Sequence, residues 1–225
     1  MLSISRDITE EHQAALALDE AAARQEMLMR ELEHRIKNTL TTVGAIANQT
    51  FQGDQHAVAR EVFLARLIAL GHAHDILTRA SWVSAPIEQV VEGALAPHRT
   101  KEKRIHAGGP DVALEPRQAL SLALAVHELA TNAIKYGGLS NQDGTIDISW
   151  SNGDQVHPGF RFVWEEAGGP AVAVPTSKGF GSRLIERMLS SDFGGAVDLQ
   201  YRPGGIRCEL RSPEPLTCSI SSAGH

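Results

Sequence analysis

The chain of 225 residues is 42% hydrophobic with a formal charge of -6, which supplies enough apolar surface for one large or two small cored domains and excludes a disordered chain. Net acidity without a basic run excludes a general nucleic-acid binder, because neutralising phosphates takes clustered Lys and Arg. The two cysteines, Cys208 and Cys218, suit a reducing compartment and exclude metal ligation by cysteine.

Residues Thr9 to Arg30 are rich in Ala, Glu, Gln, Leu and Met and hold no Gly or Pro, which predicts a helix with Thr9 as its cap. No apolar signal-peptide core precedes it. Leu16, Ala23, Leu28 and Leu32 are spaced for either an imperfect coiled coil or a solvated helical lead-in. The helix should run on through Glu31-Leu32-Glu33-His34-Arg35-Ile36-Lys37-Asn38 to about Phe51, where Gln52-Gly53-Asp54 breaks the pattern. Leu32, Ile36, Leu40, Val43 and Ala47 share one apolar face. His34 lies two residues from both Leu32 and Ile36, which turns it roughly 160° off that stripe. It is expected in water, among Arg30, Glu31, Lys37 and Asn38. Taken alone, this is an ordinary solvated face that carries a histidine.

Val58, Val62, Leu64, Ala65, Ile68, Leu70 and Ile76-Leu77 recur with helical period from Ala57 to Arg79, a second helix long enough to pack antiparallel on the first. Two such hairpins would bury both apolar faces as a four-helix bundle. His72 and His74 on the second helix read as polar-face or packing residues. Ser81 to Pro86 reads as a hinge, with Ser84 capping a helix to about Ala96 and Pro86 in its first turn. Short strands around Arg104–Ala107 and Val112-Ala113 flank a Gly108-Gly109-Pro110 turn, and Glu115-Pro116 opens a long helix from Arg117 to Tyr136, closed by Gly137-Gly138. Its most apolar part, Ala119 to Val126, is far short of the roughly 20 residues of a membrane helix, so the chain reads as soluble and cytoplasmic with no membrane partner. Strands follow at Gly144–Trp150, Phe160–Trp164, Ala196–Tyr201 and Ile206–Arg211, the last two a hairpin, with a helix at Ser182–Leu189. This order predicts a layered sheet with helices on one face, and a disordered tail from Ser212.

Three stretches carry chemistry. On the long helix Glu128, Asn132 and Lys135 stand at i, i+4 and i+7, a polar stripe expected opposite Leu120, Leu124 and Ile134. Asn is a mediocre helix former that gains most when its oxygen binds something, and Mg²⁺ accepts such an oxygen while bridging phosphates. Glu128 would then orient or deprotonate a nucleophile, and Lys135 would balance phosphate charge. In Phe162 to Pro170, Gly168 permits backbone approach to a planar ligand and Glu166 can accept from the exocyclic amine of an adenine, although Gly-Gly-Pro makes a turn regardless. Lys178-Gly179-Phe180-Gly181-Ser182 places a glycine pair before a helix whose free N–H groups suit an anion.

In this order the pieces resemble the HWE histidine kinases, a branch of bacterial two-component sensor kinases. His127-Glu128-Leu129-Ala130-Thr131-Asn132-Ala133-Ile134-Lys135-Tyr136 is similar to the family's N box, His127 included, and Trp164-Glu165-Glu166 to its second hallmark. Gly179-Phe180-Gly181-Ser182 resembles the glycine box after the lid, and Glu33 to Asn38 the phosphoacceptor box. The resemblance covers residues 28 to 211. It implies an α+β chain: a dimerisation and histidine-phosphotransfer hairpin over 28–82, a Bergerat-type (GHKL) ATP-binding α/β sandwich over 83–211, and a lead-in over 1–27. Ile4-Ser5-Arg6-Asp7-Ile8-Thr9 also resembles the junction after a PAS-type sensor, which would lie outside this chain.

Carried over by position, His34 is the phosphoacceptor, Asn132 the Mg²⁺ ligand, Glu166 the adenine contact, and Gly179 and Gly181 the lid glycines. Lys135, Tyr136, Trp164, Gly168 and Ser182 complete the expected nucleotide site, with Glu128 a second candidate for the metal. Arg35 follows the acceptor where many histidine kinases have an acidic residue, which leaves the base open between Glu128, His127 and Glu33. The short segment from Pro170 to Gly179 implies an abbreviated lid. The implied ligands are ATP and Mg²⁺, and the implied partners are a response regulator and a second copy of the chain. The rival readings are a non-catalytic phosphotransfer scaffold, and an ATPase or protein-serine kinase on the same ATP-binding fold.

Overall fold

In the computed structural model the described residues are 2–79, 83–99, 104–153, 158–171 and 180–218. They fall into two compact units, Met1–Thr50 and Phe51–His225.

The first unit is one helix, α1 (Leu2–Thr50). It begins before Thr9, so Thr9 is not its cap, and Asp7-Ile8-Thr9 is helical. A cap contributes only about 1 kcal/mol, and no Gly or Pro occurs before Gly44 to stop the helix from extending through it. Gly53, at φ +87°, turns the chain after α1 in a conformation that glycine adopts without strain.

In the second unit α2 (Ala57–Arg79) has the bounds that its periodicity predicts. It packs against α3 (Ile87–Leu95) and α4 (Pro116–Lys135). Ser84 does not cap α3. Ala85 and Pro86 instead form a short strand, β1 (Ala85–Pro86), paired with β3 (Ala113–Leu114), and the first helical N–H, that of Ile87, bonds the Val112 carbonyl at 3.0 Å. Pro86, with φ -60° and ψ 129°, is the extended residue before the helix. Glu115 and Gln118 form a capping box that starts α4.

Five strands make a mixed sheet: β2 (Ile105–Gly108), β4 (Thr145–Asn152), β5 (Phe160–Ala167), β6 (Ala196–Arg202) and β7 (Gly205–Arg211). Their order is β2-β4-β5-β7-β6, with β2 parallel to β4 and every other pair antiparallel. Alternation along each strand separates the faces. Ile146, Ile148, Phe162, Trp164, Cys208 and Leu210 join one buried cluster with α3, α4 and α5 (Phe180–Asp192). The other face carries Arg161, Glu165, Arg207, Glu209 and Arg211. The architecture is α+β with helices on one face, as expected.

Two expectations are corrected. Leu120 and Leu124 are only partly buried and Ile134 is 42% exposed, while the side of α4 sealed in the core is Leu122, Val126, Leu129 and Ala133. With the sheet on one side and helices on the other, α4 buries most of its circumference, so its polar residues cannot be placed by a single stripe. The tail is also ordered as far as Cys218. Ser212 N donates to Phe160 O at 2.8 Å, Phe160 N to Glu214 O at 3.0 Å, and Ala113 N to Thr217 O at 2.9 Å. The tail satisfies backbone groups at the rims of β5 and β3 that would otherwise lack partners. Among the described residues no helix is long and apolar enough to cross a membrane.

Candidate functional site

His34 is exposed on α1. The Asn38 side-chain amide lies 3.2 Å from its Nδ1, and with the amide donating, a neutral ring carries its hydrogen on Nε2. Arg35, the next residue, turns back to Glu31 at 2.7 Å and leaves the imidazole uncovered.

The other candidates gather along α4 in the second unit. Glu128 is 5% exposed, and both its oxygens accept from Arg66 of α2, from Nε and Nη2 at 2.5 Å each. This is the bidentate geometry that arginine favours with carboxylates. Gly181, in the first turn of α5, closes the other side, since a Cβ built there would stand 2.9 Å from Glu128 Oε2. Glu128 is therefore a buried, arginine-paired group and not a member of a solvated stripe.

Beside it, His127 Nδ1 and His98 Nε2 are 3.0 Å apart with ring centroids at 4.8 Å. Burial, then the charge of His127, pushes His98 down to about 4. Burial also lowers His127; Glu128 opposes that shift, and the charges of Arg66 and His72 add to it. Both rings are therefore neutral near pH 7, with one shared hydrogen between them. Val62, Ala65, His98, His127, Thr131 and Lys135 help line a cavity of about 300 Å³ between α2 and α4.

One turn beyond Glu128, Asn132 is half-buried, and its side-chain amide has no hydrogen-bond partner among the described residues. Lys135 and Tyr136 are exposed at the end of α4. Gly137 and Gly138 then bring the backbone against Glu166: Gly138 N donates to Glu166 Oε2 at 2.8 Å, and a Cβ on Gly137 would fall 2.1 Å from that oxygen. Trp164, fully buried, donates its indole N–H to Glu166 Oε1 at 3.2 Å. Burial raises the Glu166 pKa, and the N–H groups of Gly138, Trp164 and Ile206 work against that rise. Since β5 runs on to Ala167, past the expected strand end at Trp164, Glu166 is a strand residue facing the core side. Gly168, at φ +70°, is approached by the Asp143–Gly144 backbone, and its carbonyl accepts from the Asn141 amide at 2.8 Å. Ser182 Oγ lies 3.3 Å from the Tyr201 hydroxyl. Gly179 lies outside the described residues.

Residues 31–111 match the HWE histidine kinase family. Over 95% of its length the chain is 39% identical to a blue-light-activated histidine kinase of Brucella anthropi and 37% identical to one of Brucella ovis, spanning 43% of each relative. The matched segment belongs to the HWE histidine kinase family. In fold the chain is similar to the histidine kinase domain of a blue-light activated histidine kinase from Erythrobacter litoralis, with a TM-score of 0.55, 16% identity, and coverage of 86% of this chain and 94% of that one.

Within this chain α4 strings the family motifs along one axis. Glu128 and Gly181 meet at one end and Glu166 and Gly138 at the other, with Asn132 between them; from Glu128 to Lys135, its last residue, α4 rises about 10 Å. Sequence reasoning missed Arg66 and His98. Arg66 had a signal, because it shares a helical face with Val62, Ala69 and Ala73, and a cation on an apolar face calls for a buried anion. His98 sits in a single 3-10 turn after Pro97, where periodicity carries no information.

Proposed function

We propose that this chain is the core of a histidine kinase that phosphorylates His34 from ATP and passes the phosphoryl group to an aspartate on the receiver domain of a response regulator. The observation that carries this reading is the alignment along α4 of Glu128 with Gly181, then Asn132, then Glu166 with Gly138, a row suited to one elongated ligand. ATP with Mg²⁺, when bound, supplies the transferable phosphoryl group and neutralises charge on its oxygens.

The donor set fits that ligand. Asn132 offers a side-chain oxygen to the cation, with Glu128 as a second oxygen donor once it is free of Arg66. Gly181 and Ser182 open a helix of 13 residues, whose first N–H groups face phosphate oxygens. Lys135 adds positive charge. Glu166 has two donors of its own chain on roughly four acceptor positions, which leaves room for an exocyclic amine. Tyr136, Trp164 and Gly168 shape the same end, Trp164 by fixing Glu166.

His34 attacks with a ring nitrogen. The N–P bond forms as the O–P bond to ADP breaks, and the ring loses one proton. Glu128 and Glu33 accept that proton more readily than His127, whose Nδ1 is already tied to His98. Residues 28–82 act as the dimerisation and phosphotransfer segment, and 83–211 as the ATP domain. A PAS-type sensor acts through the 1–27 lead-in. Exposed Leu16, Leu28 and Leu32 on α1 face a second copy in a cytoplasmic homodimer.

Incubation with γ-labelled ATP is expected to leave acid-labile, base-stable label that is absent from His34→Ala; label that survives the substitution overturns the assignment. Light scattering tests the dimer, and a mass near 24.3 kDa refutes it.

A further inference from the structure

We propose that Arg66 is a latch on Glu128, a positioning residue whose release from the N-box carboxylate switches this site on. The inference rests on the kinase reading above, and goes beyond it by assigning a control element to α2.

Glu128 sits in the N-box and belongs to the expected machinery, yet here its charge is already matched. A carboxylate with both oxygens bonded to one guanidinium at 2.5 Å keeps only about two of its four acceptor positions, and the neighbouring positive charge makes it a weaker base and a weaker cation ligand. Nor can it turn aside, because Gly181 stands against Oε2 and Glu128 is buried beneath it. The arginine is the more accessible partner. Its side chain is 23% exposed against 6% for Glu128, and it arrives from α2, 62 residues away in sequence.

The surroundings of the pair suit a contact that parts. Beside the pair, between α2 and α4, lies the cavity of about 300 Å³ whose wall includes Val62, Ala65 and Thr131, so the contact is incompletely filled at this end, although Ala73 and Leu77 of α2 are sealed in the core further along. A buried ion pair adds little net stability against separation of its two elements, because the charges regain solvation on parting. It is nonetheless specific, since one docked position of α2 places both guanidinium nitrogens on both oxygens. Docked, α2 withholds Glu128; undocked, Glu128 is free for Mg²⁺ or for the His34 proton. Any input that moves α2 relative to α4 therefore sets the availability of the carboxylate.

The full 225-residue chain tests this with Arg66→Gln, Arg66→Lys and Val62→Ser. Arg66→Gln is expected to raise the initial rate of His34 labelling about tenfold, the order of a charge-assisted bond lost from the resting state. Arg66→Lys, which keeps the charge but not the fork, should fall between wild type and Gln. Val62→Ser, which loosens docking and puts no charge beside the pair, should also accelerate labelling. Independently of labelling, calorimetry should show Arg66→Gln binding ATP more tightly with Mg²⁺ and unchanged with EDTA. A folded Arg66→Gln that labels His34 at or below the wild-type rate and keeps the wild-type Mg²⁺ dependence overturns the latch. If Arg66→Gln does not fold, Arg66→Lys at the wild-type rate overturns it equally. Absence of His34 labelling in every variant would refute the kinase reading alone, while the Mg²⁺-dependent tightening would still decide the latch.

Discussion

Glu209 and Glu128 are both buried carboxylates held by arginine, but the regions around them are built differently. Glu209, 3% exposed on the open face of the sheet, accepts from Arg161 at 2.6 Å, Arg211 at 2.7 Å and Arg207 at 3.3 Å. All three arginines are fixed by the β5–β7 register, so the cage belongs to the sheet itself. Glu128 depends on one arginine from a separate helix. A cage whose members share one ladder opens only when the sheet unfolds, whereas a single bond between elements opens with their relative motion. Removing Glu209 is the strongest way to break the first region. Glu209→Ala should cost about 3 kcal/mol by leaving partly buried arginines uncompensated, read as a lower denaturant midpoint, while nucleotide affinity of the folded protein stays unchanged. Burial raises the Glu209 pKa, but bonds from Arg161 and Arg211 and the charges around them win and bring it down to about 2. Its folded value thus lies below the ordinary 4.5. This stabilisation is complete above pH 4.5 and is lost as pH falls toward 2.

The Glu166 end of α4 stands between these extremes, being bonded by Trp164 of its own strand and by the Gly138 loop. Trp164→Phe keeps an aromatic ring at this fully buried position, removes one donor and leaves a small void. The expected loss is about 1.5 kcal/mol of stability, with a weaker ATP affinity in calorimetry because Glu166 is no longer fixed. A stability loss with unchanged affinity would place Glu166 with the structural carboxylates like Glu209.

The two regions were also unequally legible in the sequence. The sheet and its helices follow from local signals: α2 from its apolar period, α4 from Glu115-Pro116 and Gly137-Gly138, the β6–β7 hairpin from Pro203-Gly204-Gly205. The order of the N box, Trp164-Glu165-Glu166 and the glycine box was equally readable. What escaped were pairings across long sequence gaps. Arg66 with Glu128, His98 with His127, and Ser212 with Phe160 each depend on where distant elements land, which no local period records. The face of α4 was misjudged for a related reason, since a helix buried on several sides shows no single polar stripe.

A smaller effect separates the polar groups along α4 from the sheet cage by pH. His98, pushed down to about 4, and His127, also lowered, sit below the ordinary 6.5. The unfolded chain binds more protons in that window, so their contribution is complete above pH 6.5 and is lost as pH falls toward 4. Glu166, with its raised pKa, acts in the opposite sense and offsets part of the loss. Melting curves at pH 7 and pH 5 should show lower stability at pH 5 for the wild type, with a shallower dependence in His98→Gln. An unchanged pH slope in that variant would exclude the His98–His127 pair as its source.

Glu165 offers the mildest test, on the same open face as Glu209. It bonds Arg202 at 2.8 Å and Arg207 at 2.6 Å, and its side chain is 41% exposed. Water and salt compete for such a pair, so Glu165→Gln should cost about 0.5 kcal/mol, and less at high ionic strength. Arg207 decides what the result means, because it also reaches Glu209. If the two carboxylates are independent, the Glu165→Gln and Glu209→Ala losses add, and Arg207 simply stays with the survivor. If they form one lattice, the double variant loses measurably less than the sum, since the first substitution has already loosened Arg207. Additive losses would confine the rigid cage to Glu209 and its strands, and non-additive losses would extend it across β6 through Arg202.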